Sequence, residues 1–195
     1  MSSLRERKRV RTRQALIDAA AELFERRGYD GTTIADIAAA ADVSTRTFFS
    51  YFASKEEVLF PDADERVNAA LTAIDERRAG EQPTQVLLRA LGELGDAGDD
   101  LVGPMAALRL RFVRSVPSVR GHGLQRQLDA QTEIAARLHA AFPDELDEVE
   151  AAALVGAFVG AIAGALEVLL RDEHDPDVVR ARLQRATAVA LRPWT

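Results

Sequence analysis

Cysteine is absent from the 195 residues. That excludes a disulfide framework and any thiolate metal site, and it leaves the cytoplasm as the expected compartment. No stretch sustains the period-2 alternation of a strand, and alanine and leucine dominate, so no sheet is expected. The three histidines, His122, His139 and His174, offer no pair at i, i+4, and no metal site is expected. G-x-S-x-G, the P-loop, the Rossmann glycines and H-E-x-x-H are all missing, so the familiar enzyme classes lack their signatures and no cofactor is implied. The basic opening "MSSLRERKRVRTRQ" has no apolar segment behind it of the signal-peptide kind. The aspartates of "GDAGDDLVGP" (Gly95–Pro104) lack the EF-hand spacing and read as a loop. There is no internal repeat and no low-complexity segment.

What is present is an ordinary soluble composition, 47% hydrophobic and 29% charged, of a size for one compact unit or two small ones. The net charge of −6 argues against nucleic acid if taken whole. Its distribution argues otherwise. The first thirteen residues carry Arg5, Arg7, Lys8, Arg9, Arg11 and Arg13 against Glu6 alone, a net +5 that leaves −11 for the rest. A basic arm on an acidic body suggests anion contact at one end.

The apolar spacing predicts an all-α chain of about nine helices. Helix one runs from about Val10 to Arg27, with Leu16, Ala20 and Leu23 on its inner face and Gly28 as its stop. Helix two runs from Thr33 to about Ala41, with Asp36 in a near capping box. Helix three is expected from the N-cap Ser44 to about Phe52. Ser54 and Glu57 form an S-x-x-E box that should open helix four, kinked at Pro61 and continuing to Arg78. The remaining helices are placed near 84–95, 105–116, 118–142 (loosened at Gly121 and Gly123), 145–171 and 176–191.

Helices two and three lie a helix–turn–helix distance apart. Ile34, Ile37, Ala38, Val43, Phe48 and Phe52 would face inward, leaving Thr45, Arg46, Phe49 and Ser50 outward with Thr47 and Tyr51 flanking. Hydroxyls near a helix N-terminus hold phosphates, Arg46 can take guanine bidentately, and Phe49 can meet a thymine methyl or a sugar. Thr33, at the start of helix two, and Ser44 join this set. Lys55, expected in the first turn of helix four, opposes that helix's dipole, and a phosphate there would relieve it. Arg9, Arg11 and Arg13 would add phosphate or minor-groove contacts.

The stretch "TRQALIDAAAELFERRGYDGTTIADIAAAADVSTRTFFSYFASKEE" resembles the DNA-binding domain of the TetR (tetracycline repressor) family of transcriptional regulators. The pieces that carry the resemblance are "LF…RGY", "TTIADIAAAADVS", the threonine–aromatic–aromatic run before "YF", and "SKEE", in order. "STRTFFSYF" is also similar to an actinobacterial subgroup that includes mycofactocin-type regulators. The resemblance implies a helix–turn–helix domain over 1–53 and a helical effector-binding and dimerisation domain over 54–195. It implies phosphate contacts at Thr47, Tyr51 and Lys55, and base-facing positions at Ser44, Thr45, Arg46 and Phe49. Phe49 stands where a tyrosine is common, and Ala53 where a proline is frequent.

"AAALVGAFVGAIAGALEVLL" (Ala151–Leu170) carries one charge and a stripe of Ala152, Gly156, Gly160 and Gly164. It barely spans a bilayer and is weakly apolar, so a membrane is not expected. A helix small on one face and bulky on another can pack in its own subunit and against a partner. Val179, Leu183, Ala186 and Ala190 form a second stripe in helix nine. The resemblance implies that these last two helices form the homodimer interface, so that two readers meet a palindromic double-stranded operator. It also implies an effector pocket among helices four to eight, for which Met105, Leu108, Phe112 and Phe142 are apolar candidates. Arg109 is a candidate for an anionic head group. The residues themselves favour another role for Arg109, Arg111, Arg114 and Arg120, as surface charges or contacts to the DNA-binding domain. A ligand-released repressor is thus expected. An all-helical enzyme and a membrane-associated interaction module are the rival readings.

Overall fold

The computed structural model describes residues 4–94, 104–172 and 175–192. Among them are nine α-helices and no strand: α1 Leu4–Arg27, α2 Ile34–Ala40, α3 Thr45–Phe49, α4 Ala63–Asp75, α5 Pro83–Leu94, α6 Pro104–Ser115, α7 Pro117–Ala141, α8 Glu148–Asp172 and α9 Pro176–Ala190, with a 3-10 turn at Glu57–Leu59. The aspartate loop before Pro104, and His174, lie outside the described residues.

The described residues gather into two compact units. One holds the chain up to Pro61 together with Pro104–Gly123; the other holds the stretch from Asp62 and the chain from Leu124 onward.

The first unit is built on α1. Leu16, Ala20, Leu23 and Phe24 are buried along one side of it, the i, i+4, i+7, i+8 stripe of an amphipathic helix. Gly28 ends it at φ 72°, where a side chain would be strained, and its N–H reaches Phe24 O at 3.0 Å. The helix starts at Leu4, six residues before the predicted Val10, so the basic arm is helix. Thr33 caps α2 in a reciprocal box with Asp36. The turn that follows is a Schellman closure: Asp42 N–H donates to Ala39 O at 3.1 Å and Val43 N–H to Ala38 O at 2.9 Å. Asp42 takes the left-handed conformation (φ 54°) that glycine usually supplies there. Ser44 then caps α3 through Thr47 N–H.

Two sequence expectations need correction here. Helix three does not reach Phe52 as α-helix: Ser50 and Tyr51 N–H bond three residues back, to Thr47 O and Phe48 O. No helix four opens at Ser54 either. Glu57 N–H does find Ser54 Oγ at 3.3 Å, but the Glu57 carboxylate accepts from Ala53 N–H. Only the 3-10 turn forms before Pro61, whose missing donor prevents continuation.

The core of this unit joins α1, Ile37, Phe48, Phe52, Val58 and Leu59 to Met105, Leu108 and Phe112 of α6. Phe24, Tyr29 and Phe112 form an aromatic triad with centroids 5.5–5.7 Å apart.

The second unit packs Ala70 and Ile74 of α4, Val86, Leu87 and Leu91 of α5, Leu138 of α7, Leu154, Val155 and Phe158 of α8, and Val179 and Leu183 of α9. α7 runs unbroken through Gly121 and Gly123. α8 starts at a reciprocal box in which Asp147 and Glu150 exchange backbone and carboxylate bonds at 2.8 and 2.9 Å. Arg89 ties α5 to this unit by bonding Glu81 at 2.8 Å and Ala73 O at 2.9 Å. Hydrogen bonding to Arg89 holds the Glu81 carboxyl below its ordinary range.

Candidate nucleic-acid interface

The predicted contact residues fall on one unit, and the structure separates them by what already occupies them. Ser44, Thr45, Arg46, Phe49 and Ser50 are exposed, and Thr47 and Tyr51 are half-buried. Ser44 Oγ lies 2.9 Å from Thr47 Oγ1, and Ser50 Oγ donates to Thr47 O at 2.6 Å. Among the described residues, Thr45 and Arg46 make no side-chain hydrogen bond or ion pair. Thr33 is exposed and its hydroxyl donates to Asp36 at 2.5 Å.

No acidic residue occurs from Val43 to Lys55. Two carboxylates near this run, Asp36 and Glu57, are engaged. Asp36 is held below its ordinary carboxyl range by hydrogen bonds from the Thr33 side chain and backbone, with Arg27 adding to the effect at 3.6 Å. Glu57 accepts from Ala53 N–H. On α1, the Arg9 guanidinium lies 6.0 Å from the Tyr51 ring and that of Arg13 lies 5.6 Å from the Phe52 ring. Arg13 also donates to Pro61 O. Arg9 and Arg11 are exposed, while Arg13 is half-buried.

Lys55 has a different setting from the expected one. With no helix starting at Ser54, there is no dipole for it to oppose. Its ammonium donates to Tyr29 O and Thr32 O, both at 2.9 Å, and lies 3.9 Å from the Tyr29 ring centroid. It thereby closes the α1–α2 loop, where Thr32 Oγ1 also donates to Gly28 O at 2.9 Å. Gly31 sits in the same loop, and a Cβ there would come 2.4 Å from Arg27 O.

This loop cluster escaped the sequence reading. Burial, and then the neighbouring Glu56, hold the Tyr29 phenol well above its ordinary range. The Tyr29 hydroxyl meets no partner at full hydrogen-bond geometry, so its interaction with Glu56 and Ser118 is a looser polar contact. Burial pushes the Glu56 carboxyl up, but polar contacts to Tyr29, the backbone, Ser118 and Ser54 outweigh it and hold the carboxyl low. The only sequence signal was the adjacency of Gly28 and Tyr29 to a helix stop; the 26-residue separation of Tyr29 from Lys55 carries no pattern.

The five effector candidates are divided between the two units. Met105, Leu108 and Phe112 belong to the core that contains α1, whereas Phe142 belongs to the other core. The apolar side of α6 packs on α1. Arg109 donates to Leu59 O at 3.2 Å and lies 5.9 Å from the Phe60 ring centroid. Arg111 grips both Glu25 oxygens at 3.2 and 3.1 Å. Arg120 donates to the carbonyls of Val113 and Arg114. These are contacts within the helix–turn–helix unit. Arg114 is exposed.

The two dimer stripes also divide. Ala152, Gly160 and Gly164 are exposed and Gly156 is half-buried; a Cβ on any of these glycines would meet nothing within 4 Å. Ala186 and Ala190 are exposed. Val179 and Leu183, each 1% exposed, lie in their own unit's core and present nothing outward, which corrects their place in the expected interface. The outward apolar residues of α9 are Val178 and Val189. α8 is the one described helix long and apolar enough to cross a membrane, by length and composition, and 22% of that window is buried. His122 stacks on Phe60, and His139 Nδ1 lies 2.9 Å from Leu146 O. Among the described residues no three His, Cys, Asp or Glu side chains cluster as metal ligands.

Residues 16–60 match the sequence model for bacterial regulatory proteins of the tetR family. Over almost its whole length the chain is similar to the HTH-type transcriptional regulator TcmR of Streptomyces glaucescens: 33% identity over 197 residues, covering 97% of this chain and 87% of that one. Among solved structures it is similar in fold to the Thermus thermophilus repressor FadR in complex with lauroyl-CoA, at 20% identity and TM-score 0.61, covering 94% and 95% of the two chains. A regulator from Syntrophomonas wolfei matches at 19% identity and TM-score 0.64, covering 92% and 95%.

Proposed function

Because the chain belongs to the TetR family of bacterial regulatory proteins, and so is a DNA-binding transcriptional regulator, we propose that it acts as a repressor: a homodimer on a palindromic operator, released by a small molecule. The observation that carries this reading is the exposed face of α3, with Arg46 unpartnered, no acid from Val43 to Lys55, and the nearby carboxylates of Asp36 and Glu57 already engaged. Such a face is electrostatically ready for a polyanion.

In this reading Thr45, Arg46 and Phe49 face the bases. Ser44 stands with them, while Thr33, Thr47, Ser50 and Tyr51 take phosphates, with Arg9, Arg11 and Arg13 beside them on α1. Lys55 works from behind by holding the α1–α2 loop. The partner subunit would cover the open glycine face of α8 together with Ala186, Ala190, Val178 and Val189 of α9. The effector would be largely apolar with an anionic group; the acyl-CoA held by a repressor of this fold supports that class. "STRTFFSYF" supports the narrower reading of a mycofactocin-type regulator. The expected place of work is the cytoplasm.

The test is selection of random duplex DNA on the purified protein at fixed, near-physiological salt. One palindrome should emerge, and Thr47→Ala with Tyr51→Phe should weaken it about tenfold or more in a protein that still sediments as a dimer. Unchanged affinity in that double variant would overturn the assignment of contacts.

A further inference from the structure

This inference rests on reading α2–α3 as a DNA reader and concerns which bases it reads. The hydroxyls on α3 are largely tied to one another: Ser44 Oγ accepts Thr47 N–H at 3.1 Å and pairs with Thr47 Oγ1, and Ser50 Oγ donates to Thr47 O. Two larger side chains stand clear of that chain. Arg46 makes no hydrogen bond or ion pair among the described residues. Phe49 is 55% exposed, although burial of an aromatic ring is favourable. It is not loose. Its ring meets the fully buried Phe48 edge-on, with centroids 5.6 Å apart and planes at 87°. An exposed aromatic braced on a buried ring, beside an unpaired guanidinium, makes a pair of unlike probes, one apolar and one hydrogen-bonding.

Base edges in the major groove offer one apolar group, the 5-methyl of thymine, and guanine offers the O6/N7 acceptor pair that suits a guanidinium. Residues at i and i+3 on a helix have Cβ atoms about 5–6 Å apart, and successive base pairs rise about 3.4 Å. We propose that in each operator half-site Arg46 takes the O6/N7 edge of a guanine while Phe49 packs on the 5-methyl of a thymine within two base-pair steps of it. Phe49 has no hydroxyl, so this position selects by the methyl group and not by a hydrogen bond.

The experiment starts from the palindrome recovered by selection. Deoxyuridine replaces the thymine opposite Phe49, removing one methyl and leaving the base pairing intact. Affinity should fall about fourfold per half-site and about fifteenfold when both are replaced, at about 0.8 kcal/mol per carbon. In Phe49→Ala, checked for unchanged helicity, the same replacement should have no effect. Arg46→Ala should relax selection at the guanine and leave the thymine preference in place. A palindrome without that guanine–thymine pair, a uracil operator bound as tightly, or an equal loss in Phe49→Ala would overturn this inference and leave the DNA reading standing. Recovery of no specific sequence would overturn both.

Discussion

Replacing Lys55 by Met keeps most of the apolar stem and removes the ammonium. Two carbonyls, those of Tyr29 and Thr32, then lose donors at 2.9 Å, and the Tyr29 ring loses a cation 3.9 Å from its centroid. A hydrogen bond to a charged group is worth about 1.5–3 kcal/mol. Lys55 is half-buried, so water recovers part of this and about 1 kcal/mol per bond is the reasonable figure. The ring contact adds about 0.5–1 kcal/mol. The total is about 2–3 kcal/mol, or about 5–10 °C in Tm for a chain of this length. The assay pairs thermal unfolding with the salt dependence of operator binding. Each phosphate contact contributes about 0.9 to the slope of log K against log salt. If Lys55 holds the loop, Tm falls and the slope stays. An unchanged Tm with a slope reduced by about 1.8, for two subunits, would refute the reasoning and restore Lys55 as a phosphate contact.

Phe112→Ala should destabilise by about 3–5 kcal/mol in chemical denaturation, because Phe112 closes an aromatic triad; a loss under about 1 kcal/mol would mean it borders open space. Gly160→Glu should leave the protomer folded, since a side chain there meets nothing within 4 Å, and should shift sedimentation from dimer to monomer; an unshifted dimer would move the interface off α8. Asp36 and Glu56 both have carboxyls held below their ordinary ranges. Their contribution to stability is therefore fully present above the unfolded values of about 3.9 and 4.3 and is lost as pH falls through the lower folded values. Unfolding below about pH 4 should be less steep in Asp36→Asn, whereas an unaltered acid limb would remove that cap from the account.

Local signals were legible in the sequence wherever one short stretch decided the outcome. Thr33 with Asp36, Ser44 before α3, and Gly28 after α1 all behave as caps because their partners lie within four residues. The S-x-x-E box at Ser54 was real chemistry, since Glu57 N–H does reach Ser54 Oγ, but Pro61 left too few residues for a helix to follow. Periodicity told which side of α6 is buried and not against what. Met105, Leu108 and Phe112 would show the same spacing whether they lined a cavity or met α1. Val179 and Leu183 failed for the same reason: a stripe in α9 cannot say whether its own subunit or a second one covers it. The Tyr29–Lys55–Glu56 cluster lay beyond any local pattern because it forms only once two distant turns are brought together.

The helix–turn–helix unit borrows α6 from a part of the chain some forty residues past Pro61, and this limits how it can be cut or exchanged. A fragment ending at Pro61 would carry every candidate DNA contact yet leave Phe24 and Tyr29 facing water where Phe112 and Leu108 belong. Such a peptide is expected to aggregate or melt at modest temperature, and grafting it onto another body would require that body to supply an α6-like aromatic at the same spot. During synthesis, the reader cannot complete its core until residues beyond Phe112 have left the ribosome.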